Sequence, residues 1–348
     1  MLILNAIESY GHEQVVFLNH PPSGLRAILA IHDTTLGPAI GACRFRAYED
    51  EEEALRDALE LSRSITFKTA LAGLNYGGGA CIVLADAPDH QLQPHAREGL
   101  FRALGRHVDA LGGRIILIED VHVTQTDIAF AAQETRHTLG FQQDTTAATA
   151  YGVYRGIKAA ARYHIGTESM RGVRIAILGV GEVGGKLAAH LAREGARLTL
   201  ADSKPGRAAR VAEQLGADTV PANEVFDVPC DIFSPCAFGG SISKAAAGSL
   251  QARMVAGGEH NPLAKGADVV LEEAGIAYIP DYLLNAAGLL VGTGLSLEEA
   301  AERVYSDVGW VCAEAQTRDE STHQTARRLA EQRISMIASI GSFFRQAP

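Results

Sequence analysis

Few of the residues that staple, anchor or positively charge a protein are present in quantity. The five cysteines, Cys43, Cys81, Cys230, Cys236 and Cys312, are odd in number and form no Cys-x-x-Cys pair. That usage excludes a disulfide framework and a structural zinc site, and a reducing cytoplasm is the expected compartment. No apolar run approaches the roughly 20 residues that a membrane span needs. The opening MLILNAIESYGHEQ turns polar at once and lacks the basic start of a signal peptide. Lys and Arg total 31 against 41 Asp and Glu, a net charge of −10, so the clustered cations that nucleic-acid phosphates require are missing. Internal repeats and low-complexity segments are absent too. The partner left standing is a small molecule, with no nucleic acid, no membrane and no metal.

The chain is long enough, at 348 residues, for two domains, and its 47% hydrophobic and 21% charged residues are those of a globular protein. In the first half, QVVFLNH (14–20) and RAILAIH (26–32) read as strands around the turn PPSG. The acid-led DEEEALRDALELSRSIT (50–66) reads as a helix. CIVLA (81–85) and IILI (115–118) read as short buried strands, with helical spacing over 95–111 between them. In GLNYGGGACIVLADAPD (73–89), Gly77, Gly78 and Gly79 precede Ala80, and the stretch reads as a loop that lets backbone approach closely.

Beyond residue 150 helix and strand alternate. A helix over 152–164 is followed by RIAILGV (174–180), RLTLAD (197–202), PCDIFSPC (229–236), ARMVAGG (252–258) and IAYIPD (276–281) as strands. Such alternation implies βαβ units and a parallel sheet. The C-terminal segment reads as amphipathic helix, with Arg327, Arg328, Glu331 and Arg333 on the wet side and Trp310, Phe343 and Phe344 as packing.

Within that alternation, ILGVGEVGGKLAAHL carries Gly179, Gly181 and Gly184 in G-x-G-x-x-G spacing. The run follows a strand, opens a helix, and is followed by Asp202 at the end of the next strand. That context is the dinucleotide fingerprint, a tight turn whose helix N-terminus faces a pyrophosphate. Asp202 is expected to hold the adenosine ribose hydroxyls and repel a 2′-phosphate, which favours NAD over NADP. Lys204 and Arg207 stand near enough to soften that preference.

The first half now becomes legible. HDTTLGPAIGACRFRAY (32–48), FKTALAGLNYGGG (67–79), IEDV (118–121), TAYGVYRGIKAAA (149–161), CDIFSPCAFGG (230–240), PDYLLNAAGLL (280–290) and RRLAEQRI (327–334) resemble the leucine, valine, phenylalanine and tryptophan dehydrogenases nearly end to end. The resemblance implies an α/β fold of two domains with a cleft between them. Residues 1–140 and 322–348 would form a substrate and oligomerisation domain, and 141–321 a Rossmann NAD-binding domain. The implied reaction is reversible oxidative deamination of an apolar or aromatic L-amino acid to its 2-oxo acid, with hydride passing to NAD, in a homo-oligomer joined through the N-terminal domain. By motif, Lys68 corresponds to the lysine that holds the substrate carboxylate and Asp120 to the acid that holds the amino group. Gly41, Ile40 and Thr149 fall among the substrate positions. Val183, Cys236, Ala237, Asn261 and Asn285 fall with Gly179, Gly181, Gly184 and Asp202 among the cofactor positions.

Four places depart from the family pattern. The lysine that follows the family's triple glycine, the general base that activates water, is Ala80 here. His122 follows Glu-Asp-Val where the family has glycine or a small polar residue. The family's Ala-Asn-Asn reads Glu259, His260, Asn261, and GFQQDTTAATAY (140–151) is short and lacks Pro-Ser-Pro. Ala80 is either a replacement of a native lysine or part of a divergence in which His122 or His260 moves the proton. Three functions stand at this point: a dehydrogenase impaired at Ala80, an NAD-dependent oxidoreductase acting on an amino-acid-derived imine, and a silent ligand-binding homologue.

Overall fold

The structure, a computed structural model, describes residues 3–86, 92–140 and 144–345, with side chains to residue 340. Two units divide it: Met1–Gln142 with Ala330–Pro348, and Gln143–Leu329. The first unit runs α1 (Ile3–Tyr10), β1 (Gln14–His20), β2 (Leu25–Asp33), β3 (Ala39–Arg46), α2 (Glu51–Leu71), β4 (Gly77–Leu84), α3 (Pro94–Asp109), β5 (Ile115–Glu119) and α4 (Gln125–Ala131). Its five strands are ordered β1-β2-β4-β3-β5. β1, β2 and β4 pair antiparallel, and β4, β3 and β5 parallel.

Strand alternation sorts this sheet into two faces. Leu29, Cys43, Phe45, Cys81 and Val83 pack against Phe101 and Leu104 of α3 and Ile128 of α4. The opposite face, carrying Ala30, Ile40, Ala42, Arg44, Gly78 and Ala80, belongs to α2. The triple glycine is therefore not a loop: Gly77–Gly79 open β4 and pair with β3 through Ala39–Gly41. A Cβ on Gly78 would overlap the Ser62 carbonyl oxygen and the Thr66 amide of α2. Only glycine lets the helix backbone lie this close to the strand.

Helix α2 is fastened at both ends. The Asp50 side chain accepts from the Glu53 amide, and Glu51, Glu52 and Glu53 fill the first turn, where the helix dipole favours anions. At the other end Arg333 Nη1 donates to the Thr69, Ala70 and Leu74 carbonyls at 2.8–3.2 Å, and Nη2 to Asn75 Oδ1 at 3.0 Å. Arg333 is thus not a solvated residue of an amphipathic face. It satisfies carbonyls that a helix end otherwise leaves open.

Under α2 lie a buried histidine, His12, and a half-buried one, His32. His12 Nε2 is 2.7 Å from Ser62 Oγ, His32 Nδ1 is 2.8 Å from Thr66 Oγ1, and the rings meet edge to face with centroids 4.8 Å apart. Burial lowers His12 to about 3 and His32 to about 4, from 6.5. Both are neutral in the folded chain, whereas the unfolded chain takes up protons below pH 6.5.

The second unit runs α5 (Thr145–His164), β6 (Arg174–Leu178), α6 (Glu182–Glu194), β7 (Arg197–Ala201), α7 (Pro205–Leu215), β8 (Asp218–Thr219), β9 (Ile232–Pro235), α8 (Lys244–Ser249), β10 (Met254–Val255), α9 (Ala267–Glu273), β11 (Ala277–Tyr278), α10 (Asp281–Leu284), α11 (Ala287–Gly292) and α12 (Leu297–Arg318). Helix α13 (Thr322–Arg345) begins in this unit and ends in the first. The sheet is parallel throughout, ordered β11-β10-β9-β6-β7-β8. Counted within the sheet, that is the 3-2-1-4-5-6 order of dinucleotide-binding folds, with the strand order reversing between β6 and β9. Trp310 of α12 is half exposed and so is not a packing residue here, and Arg328 bonds Glu320 at 3.1 Å. The side chains of Phe343 and Phe344 lie outside the described residues, as do 87–91 and 141–143.

Two outcomes follow. Gly78→Ala will destabilise the protein by about 3 kcal/mol through overpacking. Gly99→Ala, in open space on α3, will be neutral or stabilising by up to ~1 kcal/mol, both read by urea unfolding. Stability will be full above pH 6.5 and fall toward pH 4 as the unfolded histidines charge, by about 1.4 kcal/mol per unit for each. Replacing His12 with Gln should flatten that slope in thermal melts.

Candidate functional site

In the second unit the expected cofactor residues gather at the carboxyl edge of the sheet. Gly179 follows β6 with φ 92°, and a Cβ there would sit 2.5 Å from the Cys236 carbonyl oxygen and 2.7 Å from the Ala237 nitrogen. The turn is therefore pressed against the segment leaving β9, at the reversal point of the sheet. A Cβ on Gly184 would overlap the Gly179 carbonyl, which closes α6 onto the turn. Gly181 is the N-cap of α6 without a side-chain cap, and the single atom within 4 Å of a Cβ there is Arg207 Nη1 at 3.8 Å. This leaves room and open amides for an anion at the helix start.

Asp202, directly after β7, is buried. Its Oδ2 accepts from the Val180 amide at 3.0 Å and from Arg207 Nη1 at 3.3 Å, and its Oδ1 from the Lys204 amide at 2.8 Å. The acid thus fixes the glycine turn, and Arg207 lies across the second glycine with a third of its side chain exposed. Val183 Cγ1 approaches Gly258. Burial pushes the Cys236 thiol up to about 11, so Cys236 is a spacer and not a redox group.

Asn285, after α10, is buried. Its Nδ2 is 3.5 Å from both the Gly258 carbonyl and His260 Nδ1, while its Oδ1 has no partner. A buried acceptor left open costs roughly 1–3 kcal/mol unless a ligand amide fills it, as the carboxamide of a nicotinamide does. Asn261 adopts φ 48° and donates its amide to Asp281 Oδ2 at 3.1 Å. The open cradle at Gly181 and the orphan oxygen of Asn285 fit a nicotinamide dinucleotide. Thr149 of α5 turns its hydroxyl to the Thr145 carbonyl at 2.8 Å and faces Gly288 of α11.

In the first unit Asp120 follows β5 and belongs to a buried chain of charges that the sequence did not reveal. Arg44 Nε bonds Asp120 Oδ2 at 2.8 Å, Arg44 Nη1 bonds Asp57 Oδ1 at 2.6 Å, and the Tyr48 hydroxyl bonds Asp57 Oδ2 at 2.6 Å. Although burial disfavours the charged form, the two carboxylates hold the Arg44 guanidinium firmly protonated. The partners are 13 and 76 residues apart in sequence, so no local spacing announces them. Lys68 sits buried in the last turn of α2.

Ala80 is fully buried, flanked in the ladder by Ala30 of β2 and Ala42 of β3. Ile40 and Gly41 lie inside the same sheet, Ile40 without exposed surface. His122 occupies a left-handed position, φ 57°, in a turn closed by the Val123 amide on the Asp120 carbonyl. Its ring Nδ1 is 3.3 Å from the Phe45 carbonyl and its own carbonyl accepts from Arg97. A glycine or small polar residue suits that conformation better. His122 belongs to the first unit and His260 to the second, so neither unit brings both histidines together.

A parallel sheet in dinucleotide-binding order, joined in one chain to a second α/β unit with buried Lys68 and half-buried Asp120, defines a nicotinamide-dependent oxidoreductase of two units. The comparisons give its family. Residues 12–137 match "Glu/Leu/Phe/Val dehydrogenase, dimerisation domain" and residues 200–340 match "Glutamate/Leucine/Phenylalanine/Valine dehydrogenase". A leucine dehydrogenase of Geobacillus stearothermophilus is 41% identical over 99% of this chain and 97% of that protein. An L-tryptophan dehydrogenase of Nostoc punctiforme is 37% identical over 96% of this chain and 97% of that protein. The crystal structure of L-tryptophan dehydrogenase from Nostoc punctiforme superposes with TM-score 0.76 and 36% identity over 97% of this chain and 100% of that one. The chain belongs to the Glu/Leu/Phe/Val dehydrogenase family, NAD-dependent oxidoreductases of amino acids. The likeness favours oxidative deamination over the imine-directed and silent alternatives. Among the described residues no helix is long and apolar enough to cross a membrane.

Because Asp202 is held by three donors on its own chain, NAD will bind more tightly than NADP. Arg207→Ala will weaken NADP more than NAD, by about tenfold for one lost charge-assisted contact. Titration of both cofactors by fluorescence checks this. Equal losses for the two would remove Arg207 from the adenosine end.

Proposed function

We propose that this chain binds NAD and an apolar or aromatic L-amino acid and deaminates the amino acid oxidatively to its 2-oxo acid, at a rate limited by Ala80. The observation that carries the reading is the intact pair of half-sites. The glycine turn with Asp202 and Asn285 stands in one unit, and Lys68 with the Arg44-held Asp120 in the other, and the likeness to a leucine dehydrogenase runs over 99% of the chain. The first unit with the returning C-terminal helix would serve substrate and assembly, as a cytoplasmic homo-oligomer joined through the unit that matches a dimerisation domain.

When bound, NAD accepts the hydride from the substrate α-carbon. The protein's own part is to hold and deprotonate. Lys68 pairs with the substrate carboxylate, because a point cation fixes one end of the amino acid. Asp120 takes the amino group, and Arg44 keeps the carboxylate oriented by occupying Oδ2. Gly181 and the start of α6 would hold the pyrophosphate, and the unpartnered Asn285 Oδ1 would hold the carboxamide.

Hydrolysis of the resulting imine needs a base for water, and the methyl of Ala80 provides none. A positioned base contributes ~10²–10⁴-fold. Unaltered chain will therefore bind NAD and leucine or tryptophan yet turn over slowly. Ala80→Lys will raise deamination within that range, whereas Ala80→Met, nearly as long but without a titratable group, will not. Steady-state rates of the three proteins decide the matter. Equal rates for Lys and Met at position 80 would show that the position carries no chemistry.

A further inference from the structure

Glu259 stands where the family carries alanine, and it is a buried carboxylate without an ion-pair partner among the described residues. It follows β10, and its side chain reaches to the segment that follows the neighbouring β9. Oε2 accepts from the Ala237 amide at 3.1 Å and the Ser241 hydroxyl at 2.8 Å, and Oε1 accepts from the Ser241 amide at 3.1 Å. The same two segments are joined by the Gly240 amide on the Asn261 carbonyl and the Ile242 amide on the Pro262 carbonyl, each at 2.8 Å. The turn clamped in this way presents Phe238, 58% exposed, at the carboxyl edge of the sheet. It also begins with Cys236 and Ala237, which touch the glycine turn at Gly179.

We propose that Glu259 is a positioning residue for the cofactor, whose carboxylate clamps the 237–241 turn onto residues 259–262, so that NAD binding is coupled to the ionisation of this side chain. The proposal rests on the assignment of this edge to NAD. Three hydrogen-bond donors meet two carboxylate oxygens, and Oε2 already accepts two of them, so a proton removes the charge that strengthens all three bonds and, on Oε2, displaces a donor. The clamp is complete only in the charged form.

Burial drives Glu259 up to about 7, against the pull of the Ser241 and Ala237 donors, and Asp281 raises it further. The other groups facing it do not offset this. Asp281 is itself a carboxylate, taken by the Asn261 amide and the Tyr278 hydroxyl. The Cys236 thiol is neutral, and the adjacent His260 ring lies near Asn285. The turn is therefore loosened below pH 7 and clamped above it. By reciprocity NAD, favouring the clamped state, releases a proton when it binds.

The test is NAD affinity of the full chain from pH 6 to 8.5, with amide exchange of residues 237–241 in the cofactor-free protein at pH 8. Affinity of the unaltered chain should rise about fivefold or more with an inflection near pH 7. Glu259→Gln, whose amide presents a donor to donors, should bind more weakly at pH 8.5, lose the slope, and exchange faster over 237–241 only. Ser241→Ala removes one donor to the carboxylate and should move the inflection to higher pH, which keeps the test alive if Glu259→Gln does not fold. An unchanged slope in Glu259→Gln, or an unmoved inflection in Ser241→Ala, overturns the coupling. Unchanged exchange over 237–241 overturns the clamp itself. A chain that binds no NAD at any pH overturns the cofactor assignment and the coupling together, and faster exchange in Glu259→Gln would then leave the clamp as a purely structural one.

Discussion

Helix α2 rests backbone to backbone on β4 at Gly78, where even a methyl group would collide with Ser62 and Thr66. The first unit depends on that contact. It places the Ser62 and Thr66 hydroxyls against His12 and His32, so both imidazoles find partners. It brings Asp57, one turn and more earlier on the helix, within reach of Arg44 on β3, and Arg44 in turn holds Asp120 at the end of β5. Lys68 lies further along the same helix, and Arg333 ties down the carbonyls just beyond it. Anchored at its N-cap, its middle and its last turn, α2 carries a lysine whose position is set by three independent constraints.

The cofactor half repeats the logic with different parts. Gly179 and Gly184 bring the turn, the helix start and the end of β9 closer than any side chain allows, and Asp202 secures the turn by the Val180 amide. The anion site thus comes from backbone amides, which neither titrate nor change rotamer. Around it the polar side chains are few and buried, and low local dielectric makes each one consequential. A single carboxylate at Glu259 therefore bears on the whole edge through its bonds to Ala237 and Ser241.

How much of this the sequence disclosed follows the range of the interaction. The fingerprint at Gly179–Gly184 with Asp202 is local, as is the alternation of helix and strand around it that led to the parallel sheet. β3 escaped notice because AIGACRFR is buried on both faces and shows no alternation. The triple glycine misled because glycine marks loops and close approaches alike, and the close approach here is between a helix and a strand. Arg333 looks solvated in any helical projection, since the carbonyls it caps are more than 250 residues away. The Arg44 bridge is equally non-local, and only the resemblance pointed to Asp120. Glu259 was visible as a departure, but its meaning needed the β9–β10 neighbourhood.

Position 80 separates what the fold requires from what the chemistry requires. The ladder Ala30, Ala80, Ala42 forms a layer of small side chains on the α2 face, and nothing in that layer demands a longer residue. Gly78, two residues earlier on the same face, cannot change without displacing α2, whereas position 80 tolerates a methyl with full burial and no unpaired polar group. A lysine there would instead need a ligand or a neighbouring anion to offset its desolvation. The packing supplies no reason for one, so where relatives keep a lysine the reason is the reaction. The chain can therefore lose the base without losing the fold, and Lys68, Arg44 and Asp120 remain in place because they are held by contacts that do not pass through residue 80. On the proposed reading, binding falls to Lys68, Asp120 and the glycine turn and base catalysis to position 80, so substitutions can change affinity and turnover separately.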